Sequence, residues 1–166
     1  MADKTAGDLA KEGFDFLEAG RYEQAAERYQ AAIALGIPEE HWAAPMIHGE
    51  YGCVLSHLGD HPKTQRQLEY VLHLERSQSA DEASPGTGVA RYFLGEHLLR
   101  TSQPAQALEV VNPTIEAMGS SATLALVVAA EALHQLGRQE EAAVAALQAL
   151  ESSTSADQKE RLRERL

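Results

Sequence analysis

The strongest constraint on the fold is a pattern of small residues between Leu9 and Leu35, which predicts two helices joined by a tight turn. Gly13 lies within the first predicted helix and Ala25 within the second, with Gly20 at the turn between them. Two antiparallel helices approach closely only where their side chains are small. We therefore expect the helices to touch at Gly13 and Ala25. The aromatic side chains expected to fill the space around this contact are Phe16, Tyr22 and Tyr29.

Weaker copies of this pattern follow three more times. The positions that correspond to Gly13 are Gly52, Gly95 and Ala130, at intervals of 39, 43 and 35 residues. The positions that correspond to the turn residue Gly20 are Gly59, Ser102 and Gly137. One helix pair cannot bury both of its apolar faces, and stacking of about three or more copies buries them.

This pattern resembles the tetratricopeptide-repeat (TPR) family, whose units repeat about every 34 residues. The resemblance implies an all-α fold, a right-handed α-solenoid of about four helix hairpins with a short C-terminal capping helix, in one domain over residues 1–166. The predicted segments are repeats at 5–37, 39–78, 88–118 and 120–152, a loop at 78–88, and a C-terminal helix at 156–166.

Two prolines and one loop leave alternatives within this scheme. A helix that begins at Glu39 would be kinked at Pro45, or a short turn would precede a helix that begins at Pro45. Pro113 lies inside a predicted helix and is expected to bend or split it. The loop at 78–88 is rich in small and polar residues and contains Pro85-Gly86, which predicts a connector or, alternatively, a hinge or functional loop.

Composition and charge restrict the classes of partner. The chain is 44% hydrophobic and only 5% aromatic, which favours packed helices over strands. Its formal net charge is −11, and residues 1–83 hold 15 acidic and 7 basic groups. This charge opposes binding to nucleic acid or to anionic membranes and favours a basic or apolar protein partner. A single cysteine and the lack of a secretory pattern at the N-terminus predict a cytoplasmic protein.

The sequence contains no motif for catalysis or for a cofactor. It has seven histidines, and the one close pair, His57 and His61, is interrupted by Gly59, so we expect no metal site. Cys53 and His57 are four residues apart, which is compatible with a nucleophile and its base. The alternative, which we favour, is a small apolar residue beside a surface histidine. We therefore expect neither enzymatic activity nor a cofactor.

In TPR proteins the first helices of the repeats line a concave groove that binds a peptide or helix. The resemblance implies a partner-binding groove formed by Ala10, Phe14, Leu17, Cys53, His57, Tyr92, Glu96, Leu99, Glu131 and His134. Of these, we expect Phe14, Leu17, Tyr92 and Leu99 to form an exposed apolar strip, and we expect Phe93 in the core with the aromatic residues of the first repeat. The alternative is that neighbouring helices or a second copy in a homodimer cover this strip.

One TPR subgroup holds the C-terminal carboxylate of its ligand with basic groove residues. The corresponding positions hold Ala10, Phe14 and Glu50 here, with Arg91 as the one basic candidate, so we expect no such ligand. The resemblance favours a non-catalytic interaction scaffold. The alternatives are a small acidic chaperone of the secretion or assembly type, which shields an apolar partner segment, and an enzyme that uses Cys53 or the histidines.

Overall fold

The computed structural model describes residues 4–153, 159–160 and 163–164. Within these residues the chain forms eight α-helices and no β-strand. The helices are α1 (Ala6–Glu18), α2 (Tyr22–Ala34), α3 (Ala44–His57), α4 (His61–Gln78), α5 (Pro85–Arg100), α6 (Pro104–Ala117), α7 (Ala122–Gln135) and α8 (Gln139–Ser152). The predicted all-α repeat fold is confirmed.

The chain divides into two compact units, Met1–Gln78 and Ser79–Leu166. In the first unit α1 packs on α2, α2 on α3, and α3 on α4. In the second unit α5 to α8 pack in the same order, and α5 also contacts α7. Whether the two units form one solenoid domain stays a prediction. The predicted capping helix at 156–166 lies largely outside the described residues.

In the first hairpin the two helices approach closely at Gly13, as predicted, and the side chain that meets Gly13 is Tyr29. Helix α1 begins with a capping box, in which the Thr5 hydroxyl accepts from the Asp8 N–H at 3.1 Å and the Asp8 carboxylate accepts from the Thr5 N–H at 3.0 Å. Further along α1, a Cβ atom added at Gly13 would lie 3.0 Å from the ring of Tyr29 on α2. Tyr29 and Ala25 are fully buried, so a small residue at Gly13 is what lets the two helices approach.

The turn inside each hairpin uses a left-handed backbone conformation. The turn residues Gly20, Gly59, Ser102 and Gly137 have φ angles of 69°, 75°, 59° and 76°. Glycine adopts this conformation without strain, and it ends helices for that reason. The predicted correspondence of Ser102 to the turn glycines is confirmed, and Ser102 is the member of this set that carries backbone strain.

The start of α3 decides between the two alternatives at Pro45. Residues 39–43 form turns, and the helix begins at Ala44 with Pro45 in its first turn. A helix that begins at Glu39 is therefore wrong. Proline is favoured in the first turn because its missing N–H has no partner there in any case.

The predicted loop at 78–88 is too long, because α5 begins at Pro85. Ser84 is in an extended conformation, and Pro85 opens the helix. Gly88 is helical and buried, and a Cβ atom there would collide with the side chain of Ser121. The glycines after Pro85 looked like turn residues in the sequence, whereas Gly88 in fact serves close packing.

Helix α6 is continuous through Pro113, so the predicted split is wrong. Proline removes one hydrogen bond and crowds the carbonyl group of residue i−4. Val111 and Thr114, on either side of Pro113, are almost completely buried. Most helical stability in proteins comes from such packing, which holds α6 together at this point.

Candidate functional site

The predicted groove residues of the first unit lie on helices α1 and α3. On α1, Phe14 is 43% exposed, Leu17 is half-buried against the core, and Ala10 is buried. On α3, Cys53 and His57 are both exposed. Phe14 is therefore the large apolar side chain that α1 exposes to solvent.

Tyr29 of helix α2 forms the floor between α1 and α3. Its ring lies against Gly13 of α1, and its hydroxyl donates a hydrogen bond to the Glu50 carboxylate of α3 at 2.9 Å. A second bond between α2 and α3 runs from the Gln30 amide to the Tyr51 hydroxyl at 2.6 Å. These contacts fix the spacing of the helices and hold Glu50 half-buried at the floor.

The electrostatics of this floor are dominated by burial and by negative charge. Burial raises the pKa of Glu50, and the hydrogen bond from Tyr29 opposes that shift. The pKa of Tyr29 is raised first by burial and then by the nearby Glu50 carboxylate, with smaller contributions from Cys53 and Asp15. The Tyr29 hydroxyl is therefore a hydrogen-bond donor at any physiological pH.

His57 is engaged in a ring contact at the end of helix α3. Its imidazole stacks on the phenol ring of Tyr22, with the ring centroids 4.3 Å apart and the planes at 4°. Tyr22 in turn packs against the core of the first unit. The contact gives His57 a packing role at the junction of α2 and α3.

Two exposed residues near the start of α3 were not predicted from the sequence. Trp42, just before the helix, is 73% exposed, and Met46 in its first turns is also exposed. Met46, Glu50 and Cys53 follow one another at spacings of four and three, which places them on one face of α3. Counting back by four from Glu50 would have found both residues. We call Phe14, Met46, Glu50 and Cys53 the α1–α3 surface.

The predicted groove residues of helix α5 are only partly exposed. Tyr92 and Glu96 are half-buried, and Leu99 is 7% exposed, so the expectation of an exposed Leu99 is wrong. Phe93 was expected in the core and is 54% exposed. The exposed apolar stripe of α5 instead runs from Val89 to Phe93.

Four of the predicted groove residues directly follow a small residue of the repeat pattern. In the four repeats these residues are Phe14, Cys53, Glu96 and Glu131, and each is exposed or half-buried. Ala10, three residues before Gly13, and Leu99, four residues after Gly95, were also predicted in the groove, and both are buried. A packed helix buries a wide stripe, and these outer positions fall inside it.

Glu131 and His134 lie beside helix α8. Together with alanines of both helices they line a shallow cleft between α7 and α8. The Nδ1 atom of His134 is 3.0 Å from the Oε1 atom of Gln139 at the start of α8. In the second unit these two residues therefore share a surface with α8 side chains.

A family model for the tetratricopeptide repeat matches residues 11–51 and 92–158, which are segments of 41 and 67 residues in a chain of 166. The chain belongs to the tetratricopeptide-repeat family. The TPR is a protein–protein interaction scaffold, and TPR proteins are generally non-catalytic. No curated protein matches the sequence.

Solved TPR structures resemble the chain in fold at low sequence identity. The nearly identical TPR-like repeats of a kinesin light chain-related protein of Podosopora anserina superpose with a TM-score of 0.77 at 15% identity, over 89% of this chain and 74% of that one. BtubC (BKLC) of P. vanneervenii gives 0.76 at 13% identity, over 96% and 63%. MamA of Desulfovibrio magneticus RS-1 gives 0.70 at 18% identity, over 99% and 93%.

The TPR carboxylate clamp depends on exposed basic residues in the groove. Arg91, the one basic candidate, is buried and donates to the Glu82 carboxylate at 2.7 Å. It also donates to the Val110 carbonyl at 2.7 Å. Arg91 therefore links α5 to α6 and to the segment before α5, and it is turned away from solvent.

In the part of the chain that the structure describes, no three His, Cys, Asp or Glu side chains are close enough together to hold a metal ion. None of the described helices combines the length and apolarity that crossing a membrane requires.

Proposed function

We propose that this TPR protein is a non-catalytic scaffold that binds a peptide or helix of a partner protein on its first-helix faces. The observation that carries the proposal is Phe14, a large aromatic side chain that remains exposed beside the fixed floor of Tyr29 and Glu50. Exposed aromatic side chains beside polar groups are typical of protein interaction sites. A cytoplasmic setting stays a prediction.

The α1–α3 surface has the features that favour binding without large rearrangement. Its floor is held by the buried Tyr29 ring and by the bonds from α2 to α3. A surface that is already ordered loses little conformational entropy when a partner binds. The expected ligand is a short segment whose apolar side chain packs on Phe14.

The test is capture of partners by the full chain, followed by mass spectrometry, with two matched variants. Phe14→Glu should remove the captured partner while circular dichroism and the melting temperature stay unchanged, because Phe14 is exposed. Leu147→Glu, at an exposed leucine of α8, is the control and should retain the partner. Retention of the partner by Phe14→Glu would contradict the proposal, and a loss of folding would mean that Phe14 is structural.

A second candidate is a small acidic chaperone that shields an apolar segment of its partner. The observation in its favour is that both units expose large apolar side chains, among them Trp42 and Phe93. A chaperone should keep its captured partner soluble on refolding, at a ratio near one to one. A simple scaffold should bind the folded partner and leave its solubility unchanged.

A further inference from the structure

The connection between α2 and α3 is fixed to helix α4. The Tyr70 hydroxyl donates to the Glu39 carboxylate at 2.7 Å. The Gln78 amide donates to the backbone carbonyl groups of Glu39, at 2.8 Å, and of His41, at 3.3 Å. Three hydrogen bonds from the middle and the end of α4 therefore hold this short segment in place.

This fixed segment presents the only tryptophan of the chain to solvent. Trp42 is 73% exposed, and its indole stacks beside the His41 ring with the centroids 5.7 Å apart. The His41 ring is held in turn, because its Nδ1 atom accepts from the Ala43 N–H at 3.2 Å. Since tryptophan buries more apolar area than any other side chain when it is covered, a held and exposed indole is a strong anchor for a partner.

Glu50 follows Met46 by four residues, which places the two on one face of α3, and Trp42 precedes Met46 by another four residues. Glu50 is half-buried, and within the described residues its carboxylate is bonded by Tyr29 and forms no ion pair. Residues 1–78 as a whole hold 13 acidic and 7 basic groups. A carboxylate that has already lost part of its hydration gains more from a cation than a fully exposed one does. An acidic ligand would be repelled at the same place.

We propose that Trp42, Met46 and Glu50 recognise a basic amphipathic segment of the partner protein. An arginine or lysine of that segment pairs with the Glu50 carboxylate, and apolar residues one and two turns away pack on Met46 and Trp42. Arginine suits the Glu50 position best, because it bonds a carboxylate with two N–H groups. This inference rests on the proposed function, since it assigns a ligand chemistry to the edge of the α1–α3 surface.

The experiment uses the full chain and two fluorescein-labelled model peptides with helical periodicity. One peptide consists of leucine and lysine, and the other consists of leucine and glutamate in the same order. Binding is measured by fluorescence anisotropy at low and moderate salt. We expect the lysine peptide to bind at least about tenfold more tightly than the glutamate peptide, and its binding to weaken as salt is added.

Two substitutions locate the binding. Glu50→Gln keeps the side-chain volume and an acceptor for Tyr29, and it should weaken the lysine peptide about fivefold or more while the variant stays folded. Trp42→Ala should weaken both peptides, because it removes the apolar anchor. The matched controls are Glu140→Gln and Leu147→Ala, at exposed positions of α8, and both should bind like the parent.

The outcomes separate this inference from the proposed function. Equal affinity for the two peptides, or normal binding by Glu50→Gln and Trp42→Ala, would overturn the inference. If Phe14→Glu still abolished capture of the natural partner in that case, the scaffold proposal would stand with a different ligand chemistry. If Phe14→Glu retained that partner, the scaffold proposal itself would fail.

Discussion

Gly13 sets how closely helices α1 and α2 approach, and its role is to leave space. A Cβ atom there would lie 3.0 Å from the Tyr29 ring, which is itself completely buried. The ring cannot move aside without losing the hydrogen bond to Glu50. One glycine thus controls both the hairpin and the floor of the α1–α3 surface.

Gly13→Leu should lower the free energy of unfolding by about 1–3 kcal/mol, because it overpacks this contact. Gly7→Ala is the control in the same helix, since a Cβ atom there meets only the Thr5 hydroxyl at 3.8 Å. That change should raise stability by about 0.5–1 kcal/mol. Urea unfolding measures both. A Gly13→Leu variant as stable as the parent would refute the close contact.

Ser102 occupies the turn position that the other hairpins give to glycine, with a φ angle of 59°. Ser102→Gly should raise the free energy of unfolding by about 0.5–1 kcal/mol, because glycine adopts this conformation without strain. The reciprocal change, Gly137→Ser, should lower it by a similar amount, since no atom lies within 4 Å of a Cβ there. Opposite signs in thermal or urea unfolding are the expected result, and equal signs would contradict the strain at Ser102.

The raised pKa of Glu50 makes a prediction about pH. The folded state takes up a proton on Glu50 at a higher pH than the unfolded chain does, so this group's contribution to stability grows as the pH falls through the raised pKa. This contribution levels off below the ordinary pKa of 4.5.

The difference in free energy of unfolding between Glu50→Gln and the parent should therefore be largest at neutral pH and should shrink on acidification. Urea unfolding across this range measures this difference, with exposed Glu27→Gln as control. If the difference in free energy of unfolding between Glu50→Gln and the parent did not change with pH, the raised pKa of Glu50 would be contradicted.

Helix α6 shows how packing overrides a local rule. Pro113 removes one helical hydrogen bond, and the helix nevertheless runs from Pro104 to Ala117. Its buried neighbours Val111 and Thr114 hold the helix in place.

Pro113→Ala should therefore raise the free energy of unfolding, by up to about 3 kcal/mol, because it restores the N–H donor to a helix that already exists. Pro104→Ala is the control, since proline in the first turn costs no hydrogen bond, and it should change stability little. Thermal unfolding with circular dichroism compares the two. A destabilised Pro113→Ala would mean that the helix is bent at Pro113 in a way that the packing requires.

The existence and order of the helices could be predicted because small residues and turn glycines recur along the chain. Which side of each helix faces solvent was harder to predict. A shift of one position turns a side chain by about 100° around the helix axis. That shift separates exposed Phe93 from half-buried Tyr92. Trp42 and Met46 were missed because the ambiguity at Pro45 left the start of α3 undefined. The packing of Gly88 against Ser121 depends on residues far apart in the sequence, and no local pattern contains it.

The division of the chain into two units has a consequence for folding. The core of the first unit is formed by its own residues, among them Leu9, Tyr29 and Val54. Its bonds from α2 to α3 and from α4 to the α2–α3 connection are also internal.

We therefore expect a fragment of residues 1–78 to be helical by circular dichroism and to unfold cooperatively in urea. Tyr29→Ala in the fragment is the control, and it should abolish the transition, because removal of a buried aromatic side chain costs about 3–5 kcal/mol. An unfolded fragment would mean that the second unit is required, as expected for the single domain over 1–166 that the sequence predicted.

Trp42 is the only tryptophan in the chain. Its side chain is exposed to solvent, on a segment that hydrogen bonds hold to α4. The tryptophan emission of the protein therefore comes from one place. The wavelength of this emission and its quenching by iodide would report whether Trp42 is exposed to solvent or covered by a ligand. Trp42 fluorescence can therefore report binding at this segment without a label. It should not respond to ligands that bind elsewhere.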